Sequence, residues 1–141
     1  LAGIACHHGP EQFDDFLQGL DLLVNLLPLT DATHGILDRD IFARLARGAA
    51  VVNGGRGQHL VIDDLQTALA TGQLRGAVLD VFEQEPLPSD HSLWQMPGVV
   101  VTPHMASAAS HPCIVRQVAE NTRRLLAGEV LNHRVDPSLG Y

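Results

Sequence analysis

With 141 residues, 45% of them hydrophobic and 18% charged, the chain is long enough for one domain with a sizeable core. A net charge of −7 with no long basic run argues against a general nucleic-acid surface. No apolar stretch approaches bilayer length, no signal-peptide layout opens the chain, and Cys6 and Cys113 lack CxxC spacing. Two reduced thiols in a cytoplasmic protein is the reading these features favour, with no membrane partner.

Ile4-Ala5-Cys6 reads as a frayed strand, followed by His7-His8 and a Gly9-Pro10 turn. From Glu11 to Leu20, Phe13, Phe16, Leu17 and Leu20 recur at helical spacing, and Gly19 closes that helix. Leu22 to Leu27 reads as a buried strand stopped by Pro28. Asp38 is an N-cap for a helix burying Ile41, Phe42 and Leu45, with Gly48 at its end. Ala49 to Asn53 is the next strand and runs into Gly54-Gly55-Arg56-Gly57, a loop whose glycines allow a sharp bend and close approach to a ligand.

Asp63 or Asp64 starts a helix with Leu65, Ala68 and Leu69 inward, ended by Gly72. Two short apolar runs follow, Ala77-Val78-Leu79 and Val99-Val100-Val101, each ending in polar groups: Asp80, and Thr102-Pro103-His104. Runs of this kind suit strands buried on both faces, the habit of parallel sheets. A last helix begins near Pro112 and keeps Ile114, Val115, Val118, Leu125 and Leu126 on one face until Gly128. The order of strands and helices predicts an α/β fold with βαβ units, a parallel sheet and right-handed crossovers.

Ligands of open α/β sheets bind outside the carboxyl ends of the strands. Those ends carry Arg56, Asp80 and His104, with Glu85 between the last two strands. Taken singly, each has an ordinary reading, as a surface ion-pair partner, a turn cap or a partly buried histidine. Together they suit reduction of a carbonyl. Histidine can deliver a proton near neutral pH, a nearby carboxylate favours its charged form, and arginine grips a carboxylate through two hydrogen bonds. Eight histidines also raise a metal site. His7 and His8 would point to opposite faces of a strand, and no HxxxH or HExxH pattern occurs, so they read as structural or solvated.

Asn53-Gly54-Gly55-Arg56-Gly57, Gly76 to Phe82, Glu85-Pro86-Leu87 and Thr102-Pro103-His104 resemble, in order, the signatures of the D-isomer-specific 2-hydroxyacid dehydrogenases. Leu26 to Thr30 and Gly35-Ile36-Leu37 are similar to the same family. Leu87 to Trp94, with Val135-Asp136 and Gly140-Tyr141, resemble its glyoxylate/hydroxypyruvate reductase branch.

The resemblance implies a partial doubly wound, Rossmann-like parallel sheet: the C-terminal part of a dinucleotide-binding domain over 1–127, and a tail over 128–141 returning toward a substrate domain. It implies reduction of a small 2-keto acid to the D-2-hydroxy acid with NADPH, or NADH, and a homodimer. Arg56 would bind the substrate carboxylate and carbonyl, and His104 would be the general acid. Glu85 would pair with His104 and favour its charged form. Asp80 would meet the nicotinamide carboxamide. Leu27, Pro28 and the Gly54-Gly55 backbone would line the cofactor, bordered by Arg56 and His104.

The family's GxGxxG turn, which cradles a pyrophosphate at a helix N-terminus, is absent, as is the following residue that separates NAD from NADP. Gly54 also stands where relatives often carry a bulkier apolar residue. The chain, opening in mid-pattern, reads as a piece of a longer one, and the competing reading is a cofactor-binding or dimerising remnant inactive by itself.

Overall fold

The computed structural model describes residues 3–107 and 110–136. The chain forms two compact units, Leu1–His104 and Met105–Tyr141. In the first, four strands, β1 (Leu22–Asn25), β2 (Ala49–Asn53), β3 (Leu74–Leu79) and β4 (Val99–Val101), form one parallel sheet in the order β1-β2-β3-β4. Its helices are α1 (Phe13–Leu17), α2 (Arg39–Arg44) and α3 (Ile62–Ala70). Helix α4 (His111–Leu126) belongs to the second unit.

The helices form where local chemistry directs them. Asp38 caps α2, its Oδ1 accepting from the amides of Asp40 and Ile41 at 3.0 and 2.9 Å. Leu65 and Ala68 of α3 are buried, at the spacing of one helix face. They join Leu17, Phe42, Leu23, Val51, Ala77 and Leu79 in a single core. These strand residues share a face because register pairs Leu23 with Val51 and Val51 with Ala77.

The expected burial of the strands on both faces is met on one only. The opposite row runs Val24, Val52, Val78, Val100. Its two outer members are 48% and 55% exposed. An apolar run shows that a strand can be buried on both sides, not that both sides have a covering layer.

Other boundaries move for local reasons. Ile4-Ala5-Cys6 forms no strand; Ile4 is exposed. β1 ends at Asn25 rather than Leu27, because the Asn25 Oδ1 takes the Leu27 amide at 3.2 Å and turns the chain. The first helix is shorter than expected and is preceded by a 3₁₀ turn over Pro10–Gln12. α2 stops at Arg44, before Gly48. That glycine, at φ +79°, instead turns the chain into β2, and its amide bonds the Gln73 carbonyl at 2.8 Å. α3 begins one residue before Asp63.

The apolar stripe of α4, including Val115, Val118 and Leu126, is exposed. Its last turns carry an ion-pair cluster in which Arg123 and Arg124 share Glu120. The expected tail beyond Asp136, with Gly140-Tyr141, lies outside the described residues, as do Ala108 and Ala109. Among the described residues no helix is long and apolar enough to cross a membrane.

Candidate active site

Register brings the strand ends into one row. Asn25 pairs with Asn53, Asn53 with Leu79, and Leu79 with Val101, so the residues that follow these positions leave the sheet at a common carboxyl edge. Asp80 begins one of these exits. Its amide donates to the Asn53 carbonyl at 3.0 Å, and its buried carboxylate accepts from the Thr102 hydroxyl. The third and fourth exits are thereby tied together.

His104 is held by the same residue. Its amide donates to the Asp80 carbonyl at 2.9 Å and to the Thr102 carbonyl at 3.1 Å. Its φ of +51° lies in the left-handed region, rare for a residue with a side chain and met chiefly where surrounding structure imposes it. The imidazole then reaches Glu85, with 2.8 Å between Nδ1 and Oε2. The other Glu85 oxygen accepts from the Phe82 amide at 2.9 Å. Both partners remain partly exposed, as groups that must meet a ligand do.

The Glu85 carboxyl is held below its ordinary range, first by the His104 hydrogen bond and then by the Phe82 amide. Slight burial opposes this, while the charges of His104 and Arg56 add to it. The Arg56 guanidinium itself turns back on its own loop, donating to the Gly55 carbonyl at 2.7 Å. Glu85 and His104 border a cleft of about 590 Å³ whose apolar wall includes Phe82, Leu87, Trp94 and Val101. Its size and its mixture of apolar wall and few polar groups suit a small ligand.

The other expected site residues do not line that cleft. Leu27 borders a separate apolar cavity of about 440 Å³ with Phe13, Phe16 and Val24. Gly54, Gly55 and Pro28 belong to the loops on either side of a buried polar cluster formed by Asn25, Asn53 and His59. Sequence reasoning passed over Asn25 and His59 as functional candidates. The available signal was a polar residue closing each of two apolar strands, and a histidine three residues past the arginine.

Residues 5–106 match the family model described as D-isomer specific 2-hydroxyacid dehydrogenase, NAD binding domain. The chain belongs to this family. A glyoxylate/hydroxypyruvate reductase A of Serratia proteamaculans (strain 568) is 48% identical over all 141 residues, which span 45% of that relative's length. Among solved members, the D-isomer specific 2-hydroxyacid dehydrogenase of Xanthobacter autotrophicus Py2, in complex with NADPH and MES, superposes with a TM-score of 0.92 at 44% identity. The match covers 100% of this chain and 58% of that one. An NADPH-dependent glyoxylate/hydroxypyruvate reductase of Sinorhizobium meliloti, in complex with NADP and sulfate, gives 0.89 at 40% identity, over 95% of this chain and 44% of that one. The parallel sheet is thus the Rossmann-like sheet of the 2-hydroxyacid dehydrogenases, and the chain spans less than half the length of the Serratia relative.

Proposed function

We propose that this chain carries the catalytic edge of an NADPH-dependent reductase that converts glyoxylate or hydroxypyruvate to the corresponding 2-hydroxy acid. The observation that supports it is the His104–Glu85 hydrogen bond, set at the carboxyl edge of a parallel sheet. The 48% identity to a glyoxylate/hydroxypyruvate reductase A and the likeness to structures holding NADPH or NADP favour that substrate class and coenzyme.

The residues suit the nicotinamide end of a dinucleotide. Leu26 and Leu27 stand exposed just past β1, the apolar backing a flat ring needs, and the carboxyl edge supplies polar groups beside them. The sequence holds no GxGxxG turn for the pyrophosphate. The bound coenzyme would supply hydride to the carbonyl carbon.

This chain's residues manage the rest. With Nδ1 committed to Glu85, His104 gives the carbonyl oxygen the proton carried on Nε2, and Glu85 steadies the imidazolium before transfer. Arg56 takes the substrate carboxylate through its planar fork and draws charge toward the developing oxyanion. Asp80 and Thr102 hold the strand ends beneath both groups. The full-length enzyme pairs as a homodimer, which its mass in solution checks.

The experiment is an assay of the full-length protein and of residues 1–141 with glyoxylate and hydroxypyruvate, each with NADPH and NADH. Turnover by the full-length protein with preference for NADPH is expected, and none by residues 1–141, which contain no pyrophosphate turn. A full-length protein inert toward both keto acids would overturn the assignment.

A further inference from the structure

Beneath the arginine loop lies a polar cluster that the proposed chemistry does not use. Asn53 and His59 are fully buried and Asn25 nearly so. Burying three polar side chains costs free energy unless each is hydrogen-bonded, and here each is. The Asn25 side-chain amide donates to Asn53 Oδ1 at 2.9 Å and approaches His59 Nδ1 at 2.9 Å. The Arg56 backbone amide donates to the same Nδ1 at 3.0 Å. Two donors on Nδ1 make it the unprotonated nitrogen, so Nε2 bears the hydrogen and donates to the Pro28 carbonyl at 3.3 Å. On the other side of Arg56, its carbonyl accepts from Asn53 Nδ2 at 2.9 Å.

We infer that His59 is a positioning residue for substrate recognition: its imidazole, fixed as the Nε2–H tautomer between Pro28 and Arg56, sets where the Arg56 guanidinium can meet a carboxylate. The inference rests on the role proposed above for Arg56 and adds the device that aims it. Arg56 is exposed, its guanidinium donating to the Gly55 carbonyl at 2.7 Å, and it stands in a loop containing three glycines, a backbone with unusual freedom. His59 and Asn53 remove that freedom by holding both its amide and its carbonyl. Gly55 shows how tightly the parts fit: a β-carbon there would lie 2.8 Å from His59 Nδ1 and 2.9 Å from Asn25 Nδ2. The bond to Pro28 couples the arginine loop to the exit of β1, so one side chain sets the separation of two loops at the sheet edge.

The test is a double-mutant cycle in the full-length protein, read as separate KM values for keto acid and coenzyme. Arg56→Gln is expected to raise the keto-acid KM roughly a hundredfold, and His59→Leu about tenfold, with little change for the coenzyme. The double variant should match Arg56→Gln alone, because an aimed group that is absent cannot be misaimed. His59→Gln, whose amide can accept from Arg56 and donate to Pro28, should recover most of the loss. Additive effects, or a folded His59→Leu protein with an unchanged keto-acid KM, would overturn the proposal.

Hydrogen exchange at the Arg56 amide reads the link without turnover: protection in the wild type, lost in His59→Leu and regained in His59→Gln. If that pattern appears while Arg56→Gln leaves KM unchanged, the role of Arg56 has failed and the positioning contact stands. If KM responds to Arg56 but exchange ignores His59, the positioning proposal has failed. Should His59→Leu not fold, Gly55→Ala presses the imidazole away from Arg56 without removing a polar group, and the same loss of amide protection is expected. A wild-type protein whose His59 carries its proton on Nδ1 at neutral pH, seen by nitrogen NMR, would overturn the proposal directly.

Discussion

A β-carbon on Gly57 would lie 1.9 Å from the backbone carbonyl carbon of Phe82, so these two residues approach as only a glycine permits. The approach matters because Gly57 follows Arg56, and the Phe82 amide holds Glu85. One backbone contact therefore brings the arginine loop against the segment that presents the carboxylate.

Gly57→Ala must displace backbone on one side or the other. We expect a loss of about 3 kcal/mol in stability, as for a badly overpacked core site, and a fall in turnover as Arg56 and Glu85 separate. Gly48→Ala makes the useful contrast. That glycine has φ +79° and nothing within 4 Å of an added carbon, so only its left-handed backbone opposes the change. It should cost about 1 kcal/mol and leave turnover alone. Denaturant unfolding of both variants checks the difference; equal losses would contradict it.

Glu85 yields a prediction in pH. Its folded-state carboxyl lies below its ordinary value of 4.5, with the His104 hydrogen bond as the largest cause. A lowered carboxylate contributes stability that is present above the unfolded value and is lost as pH falls through the folded one. Carbon NMR of the Glu85 carboxyl should give a midpoint under 4.5, and His104→Ala should move that midpoint upward. A wild-type midpoint at or above the ordinary value would contradict the geometry. Because the pair is partly exposed, its contribution to global stability is small.

The proposed division of labour separates two substitutions. His104→Gln removes a proton donor, and general acid catalysis of this kind is worth about a hundredfold to ten-thousandfold in rate. Its effect should fall on kcat, with keto-acid KM nearly kept. Arg56→Gln removes the carboxylate fork and should act mainly on KM. Steady-state kinetics of the full-length protein decides the matter, and two small, equal effects would contradict both roles.

Much of this architecture was legible because apolar runs of limited length alternate with helical spacing, and because each run closes on a polar residue. Asp80 and Thr102-Pro103-His104 mark where strands leave the sheet, so a shared edge follows once the strands are parallel. Less could be read where the deciding contact crosses the chain. The Asn25–His59 contact joins residues 34 apart, and neither sits in a pattern that names its partner. The open face bearing Val24 and Val100 was hidden for a different reason. Valine suits a half-covered strand as well as a fully covered one, so composition alone leaves the second layer undetermined. The early stop of β1 depended on a side chain competing for the Leu27 amide, a local bond that apolar character at Leu26 and Leu27 concealed.

Thr102 offers a last test, of the support under His104 rather than of His104 itself. Its hydroxyl donates to the carboxylate of Asp80, which is 4% exposed, and the Asp80 carbonyl in turn receives the His104 amide. Thr102→Val keeps the shape and the β-branching but withdraws the donor. Removing one partner of a buried side-chain hydrogen bond costs about 2 kcal/mol, so the valine variant should lose roughly that in stability. Thr102→Ser keeps the hydroxyl and loses only a methyl group, and should cost less than about 1 kcal/mol. The valine variant should also slow turnover more than the serine variant, since His104 keeps its left-handed backbone only while Asp80 holds position. If the valine variant instead unfolds at the wild-type denaturant concentration and the serine variant below it, the methyl group and not the hydroxyl is what Thr102 contributes, and the stacked support beneath His104 must come from elsewhere.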